Sequence, residues 1–108
     1  MRIAYLVLSH RNPEQVLRLV SVLNEGPSAE VLVRHDPRRS TLDERALERL
    51  GASALHDDVD FDWGGWSQLQ MLLACLEGAA SLDPDWTLVL SGQDYPLRPL
   101  AAIEDGLA

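Results

Sequence analysis

The chain has 108 residues, 46% of them hydrophobic, and a formal net charge of −8. That suits a single globular domain spanning 1–108, with a core of its own and no room for a second. All nine basic residues are arginines, which excludes lysine chemistry such as a Schiff base or a P-loop, and the acidic balance argues against a nucleic-acid partner, whose binding rests on neutralising phosphates.

Ile3 to Leu8 is an unbroken apolar run, as in a strand of a parallel sheet covered on both faces. Asn12 is placed to cap a helix, with Pro13 in its first turn and Gln15 at the reciprocal capping position. Val16, Leu19, Val20 and Leu23 then recur at helical spacing until Gly26-Pro27 ends the helix. Val31 to Val33 is the second strand, leading into His35-Asp36. Thr41 to Glu44 is a second capping pattern, opening a short helix to Leu50, and Ala52 to His56 is a short third strand. An acidic loop, Asp57 to Asp62, leads to Trp63-Gly64-Gly65-Trp66 and to Ser67-Gln68-Leu69-Gln70, a third capping pattern. The helix that follows to about Ala80 is given a core stripe of Leu69, Leu72, Leu73, Leu76 and Ala80, with Cys75 in the core. Trp86 to Leu90 reads as a buried fourth strand, and Pro99 to Leu107 as a last short helix. Cys75, the one cysteine, has no internal disulfide partner. No apolar run approaches the roughly 20 residues of a membrane helix. The chain enters a strand at once, so a cytoplasmic protein with no membrane segment is expected.

Strand and helix alternate four times. This predicts an α/β fold of three layers, Rossmann-like, with a mostly parallel four-stranded sheet in the order 3-2-1-4 and right-handed crossovers. Ligands of such sheets bind outside the carboxyl ends of the strands, at the point where the strand order reverses. Ser9-His10 after the first strand and Ser91-Gly92-Gln93-Asp94 after the fourth would flank that point. Asp36, after the second strand, stands where many nucleotide-binding folds place an acid that accepts hydrogen bonds from ribose or base. Gly64, Gly65 and Ser67 open a helix whose free N–H groups and dipole attract anions. Each cluster also has a plain structural use: an Asp-Pro turn at Asp36, a chain reversal at the glycines, a cap at Ser67 and Gln70. His10 and His35 are candidate acid–base residues by type, though no nucleophile–base pair is visible. Asp58-Val59-Asp60 and Asp60-Phe61-Asp62 have the Asp-x-Asp form of a metal motif, but a solvated acidic loop accounts for them better.

Taken together, Trp63-Gly64-Gly65-Trp66-Ser67, the helix through Gln70 and Cys75, and Leu90-Ser91-Gly92-Gln93-Asp94-Tyr95-Pro96-Leu97 resemble the core-2/I-branching β-1,6-N-acetylglucosaminyltransferase family, glycosyltransferase family 14, which includes the xylosyltransferases. Ile3 to His10 and His35-Asp36 look like its first two strand ends. The last block is the specific part of the match, and Met71 departs from the family's usual alanine. The resemblance implies a GT-A fold that binds a UDP-sugar donor and transfers N-acetylglucosamine or xylose, with inversion, to a carbohydrate or hydroxyl acceptor. It implies donor binding at Ser9, His10, Asp36, Gly64, Gly65, Ser67, Ser91, Gly92, Gln93 and Asp94. It implies no required cofactor and no metal, because Ser91 to Asp94 stands where other GT-A enzymes carry Asp-x-Asp. The family's catalytic carboxylate and its diphosphate-binding basic residues lie further along than Ala108. The resemblance therefore implies a catalytic base beyond Ala108, and the chain is expected to be the donor-binding N-terminal part of a longer transferase.

Two other classes compete. One is a non-catalytic α/β module that binds a nucleotide or a protein partner, which the few basic residues near the presumed phosphate site favour. The other is a flavodoxin-like phospho-acceptor domain, against which Ser9-His10 in place of paired acids and the absence of lysine both speak.

Overall fold

The computed structural model describes residues 1–56 and 64–107. Strands β1 (Ile3–Ser9), β2 (Ala29–His35), β3 (Ser53–Ala54) and β4 (Trp86–Ser91) alternate with helices α1 (Pro13–Leu23), α2 (Glu44–Arg49), α3 (Trp66–Ala80) and α4 (Leu100–Leu107). The strands form one sheet in the order β3-β2-β1-β4, and every pairing is parallel. This is the α/β fold and strand order that the alternation predicts.

β1 is central, and its continuous apolar run reflects burial on both faces. Ile3, Tyr5 and Val7 pack with the layer of α1, α2 and α4, while Ala4 and Leu6 pack with α3. On α1 the buried residues are Val16, Leu19, Val20 and Leu23, the i, i+3, i+4, i+7 face expected of an amphipathic helix. Truncating a residue as enclosed as Leu6 or Leu19, each 0% exposed, costs about 2–5 kcal/mol.

α3 corrects the expected stripe. Leu72 and Leu76 of that stripe are partly buried against the core, but the buried residues are Met71, Cys75 and Ala79, whereas Leu69 and Leu73 are 41% and 52% exposed and Ala80 is exposed as well. The helix is apolar around most of its circumference from Met71 to Leu76, so periodicity does not single out one face. The face that meets the sheet is the one with the smaller and more pliable side chains. β4 corrects a second expectation. It is an edge strand and not a buried one, with Trp86 46% and Val89 47% exposed. Val89 lies in register with Leu6, on the α3 side of the sheet.

The capping patterns were also used differently. Asn12 adopts φ 50° and makes no side-chain cap. Asp43, not Thr41, caps α2, accepting from the N–H groups of Arg45 and Ala46. Gly65 stands at the start of α3, and Gln68 Oε1, not Gln70, accepts from Gly64 N at 2.6 Å.

One buried polar pair has no local signature. The Tyr5 hydroxyl donates to Glu104 Oε1 at 3.0 Å, and the backbone N–H of Ser28 donates to Glu104 Oε2 at 3.3 Å. Glu104 is 2% exposed. Burial, with the hydrogen bond and charge of Glu104, pushes the Tyr5 phenol well above its ordinary value. The pair ties α4 to the middle of β1.

Candidate functional site

Ser9, at the end of β1, holds three chain segments together. Its carbonyl accepts from Asp36 N at 2.8 Å, just past β2. Its Oγ lies 2.7 Å from His35 Nδ1. His35 Nε2 lies 2.9 Å from the Ser40 carbonyl, which can only accept, so in the neutral ring Nε2 carries the proton and Ser9 donates to Nδ1. Ser40 Oγ in turn donates to the His10 carbonyl at 3.0 Å. A Cβ on Gly92 would meet Ser9 Cβ at 2.7 Å and Val16 Cγ2 at 3.0 Å, so a glycine is needed for the turn after β4 to close over β1. Gly92 N donates to the Leu8 carbonyl at 2.9 Å.

The rest of that turn is satisfied locally. Asp94 Oδ2 accepts from Ser91 N at 2.8 Å, and Ser91 Oγ accepts from Gln93 N at 3.2 Å. The β1 and β4 ends are also bridged by side chains, where Asn12 Nδ2 donates to Gln93 Oε1 at 3.1 Å. That bond replaces the cap expected of Asn12. Gly64 and Gly65 share a cleft of about 250 Å³ with Leu8, so the start of α3, with Ser67 in its first turn, lies at the same sheet edge. Gly65 has φ −92°, extended backbone open to any residue, whereas Gly64 has φ +82°. The backbone demand for glycine therefore falls on Gly64.

Asp36 is 1% exposed and is not a free acceptor. Its Oδ1 accepts from Arg38 N at 3.0 Å and Arg38 Nε at 3.1 Å, and its Oδ2 accepts from Arg38 Nη2 at 3.2 Å. The Arg38 guanidinium is thereby held in place, and it is 45% exposed. Burial pushes the Asp36 carboxyl up, but the hydrogen bonds and charge of Arg38, with the charge of Arg34, outweigh it and hold the group below its ordinary value. Burial, with the charges of Arg11 and Arg39, pushes the His10 imidazole down, against the opposing pull of Asp36. Arg11 and Arg39 thus act on His10, and Arg38 and Arg34 on Asp36, in a chain whose net charge is −8.

Beside this cluster a cavity of about 300 Å³ opens between the ends of β2 and β3, lined among others by His35, Pro37, Leu42 and Leu55. At its rim His56 Nε2 lies 2.5 Å from Glu44 Oε1. Sequence reasoning missed the cavity and the part played by Ser40, because each depends on which loops the fold brings alongside β2. Among the described residues no group of three or more His, Cys, Asp or Glu side chains is placed to hold a metal ion. The Asp-x-Asp patterns at 58–62 lie outside the described residues, as does Trp63. Ala108 lies outside them too, so the described residues do not bear on a catalytic base beyond it. No family model matches the chain, and no curated protein matches it.

Proposed function

We propose that this edge of the sheet binds the nucleotide of a UDP-sugar, and that the chain is the donor-binding part of an inverting glycosyltransferase resembling the core-2/I-branching family. The observation that carries the reading is the Arg38 guanidinium held on Asp36 just past β2, with Arg34 Nη1 donating to the neighbouring His35 carbonyl at 2.9 Å, one strand from the point where the strand order reverses. A local positive field in an otherwise acidic molecule draws a polyanion to that place. The diphosphate lies over the arginines, toward Ser91 to Asp94, and a planar base enters the cavity between the β2 and β3 ends. The sugar then faces the crevice, where a carbohydrate or hydroxyl acceptor attacks its anomeric carbon, the acceptor oxygen forming the new bond as the bond to UDP breaks. None of the described residues is assigned as the base that takes the acceptor's proton; in this reading that base is supplied from beyond Ala108. Binding is proposed to need no metal, since the turn after β4 reads Ser91-Gly92-Gln93-Asp94, with one carboxylate and no Asp-x-Asp pair. A cytoplasmic setting belongs to the same reading, supported by Cys75 as a buried free thiol; among the described residues no helix is long and apolar enough to cross a membrane.

Calorimetric titration with UDP and with uridine tests this. UDP is expected to bind at least about tenfold more tightly, about 1.4 kcal/mol, to weaken with salt, and to bind equally in EDTA and in Mn²⁺. Equal affinity for UDP and uridine would overturn the assignment, and loss of UDP binding in EDTA would overturn its metal independence.

A second reading, a non-catalytic partner-binding module, draws on the exposed Trp66, Leu69 and Leu73 of α3 and Val89 of the open edge. Concentration-dependent self-association, or capture of an extended peptide on β4, without UDP binding would favour it.

A further inference from the structure

On the side of the sheet away from α3, a cavity of about 300 Å³ lies between α1, β4 and α4, at the lower end of the size range of ligand pockets. Its walls are Leu19 and Leu23 of α1, Leu88 and Leu90 of β4, and Leu100 and Ile103 of α4. Its floor is Tyr5, whose hydroxyl is already given to Glu104. The floor therefore asks no hydrogen bond of an occupant, and an aliphatic chain fits it. The rim is polar. Asp94 and Tyr95 stand there beside Pro96. Asp94 commits Oδ2 to Ser91 N, and its second oxygen has no hydrogen-bond partner among the described residues. Tyr95 is 52% exposed. Among the described residues no cationic side chain lines the cavity.

We infer that this cavity is a binding site for a small aliphatic primary amine, with the alkyl chain among the leucines and the ammonium between the Asp94 carboxylate and the Tyr95 ring. A carboxylate beside an aromatic face is the pairing that recognises an alkylammonium, and an apolar shaft behind it suits the stem of such a cation. A carboxylate-headed ligand of the same length is repelled at the rim, and an alcohol gains burial of its chain without the charge.

The test is a backbone-amide NMR titration with n-hexylamine, 1-hexanol and hexanoate as probes. Asp94 is shared with the proposed nucleotide site, so the titration is run without UDP and reads Leu19, Leu23, Leu100 and Ile103, which lie outside that site; its outcome therefore does not depend on UDP binding. Hexylamine is expected to shift these amides saturably, with hexanol about fivefold weaker, the scale of one exposed charge contact, and hexanoate without effect. Asp94→Asn keeps an acceptor for Ser91 N, and is expected to lower hexylamine to the level of hexanol while leaving hexanol unchanged. Ile103→Trp, which fills the shaft, is expected to remove both; if that variant does not fold, the Asp94→Asn comparison decides. Equal binding of the three probes, no saturable shift at these amides, or hexylamine binding indifferent to Asp94→Asn would overturn the proposal.

Discussion

On the β1–β2 bank of the crevice, Ser9 and Asp36 are 4% and 1% exposed, and their polar atoms are committed to His35, Arg38 and each other's backbone. On the β4 bank, Ser91, Gln93 and Asp94 are exposed and bond mainly within their own turn. The first bank is assembled before any ligand arrives, so a ligand there need not order it, and preorganised donors lose less on binding. The second bank holds its shape through local bonds that solvent can exchange. Among the contacts that join them are Gly92 closing over Ser9, Gly92 N donating to the Leu8 carbonyl, and Asn12 reaching Gln93. One sheet edge thus carries a buried half tied across strands and an exposed half bonded mainly within its own turn.

The largest effect is expected where the banks touch. Gly92→Val puts side-chain atoms where Ser9 Cβ and Val16 Cγ2 already stand, and overpacking of this kind costs about 3 kcal/mol. A denaturant melt with an unchanged midpoint would show that the β4 turn moves away freely. Next is Asp36→Ala, which releases Arg38. Loss of charge-assisted bonds at a buried acceptor costs about 1.5–3 kcal/mol, and UDP binding is expected to weaken with it, whereas Gln93→Ala on the other bank leaves stability within about 0.5 kcal/mol.

A smaller pair separates the two glycines before α3. Gly64→Ala forces a side chain to φ +82° and is expected to cost about 1 kcal/mol, while Gly65→Ala, in extended backbone, stays within about 0.5 kcal/mol. Equal losses would place the backbone demand elsewhere.

The smallest effect is pH-dependent. His10 titrates below its ordinary 6.5 in the folded chain, so the unfolded chain binds more protons just below that pH. Stability is therefore full above pH 6.5 and falls as pH drops through the folded value. Asp36 titrates below its ordinary 3.8. Its contribution is present above that pH and disappears as pH falls through the lower folded value. His10→Gln should flatten only the upper window.

The strand order, and with it the placing of the three polar clusters after β1, β2 and β4 at one edge, was legible because local pattern decides it. A run like Ile3 to Leu8 has to be covered on both faces, and the 16, 19, 20, 23 spacing on α1 has to face a sheet. The errors lie where a side chain chose between a local partner and a distant one. Asn12 forgoes the cap for Gln93, 81 residues away, and Glu104 serves Tyr5, 99 residues away. Asp36 was legible as a candidate by its position after β2, but not the loss of its carboxylate to Arg38, which follows because a buried carboxylate takes the nearest guanidinium. α3 was misread because leucines on most sides of a helix leave the choice of face to the neighbouring layer.

The central claim is that the two banks form one nucleotide site, the first fixed and the second adapting to it. A backbone-amide NMR titration with UDP tests it most directly. The account predicts that amides at Ser9, His10, Asp36 and Arg38 and at Ser91 to Asp94 shift together, saturating with one dissociation constant, and that the His10 imidazole becomes more basic as the diphosphate arrives. Shifts confined to one bank, or a His10 titration unmoved by saturating UDP, would contradict it.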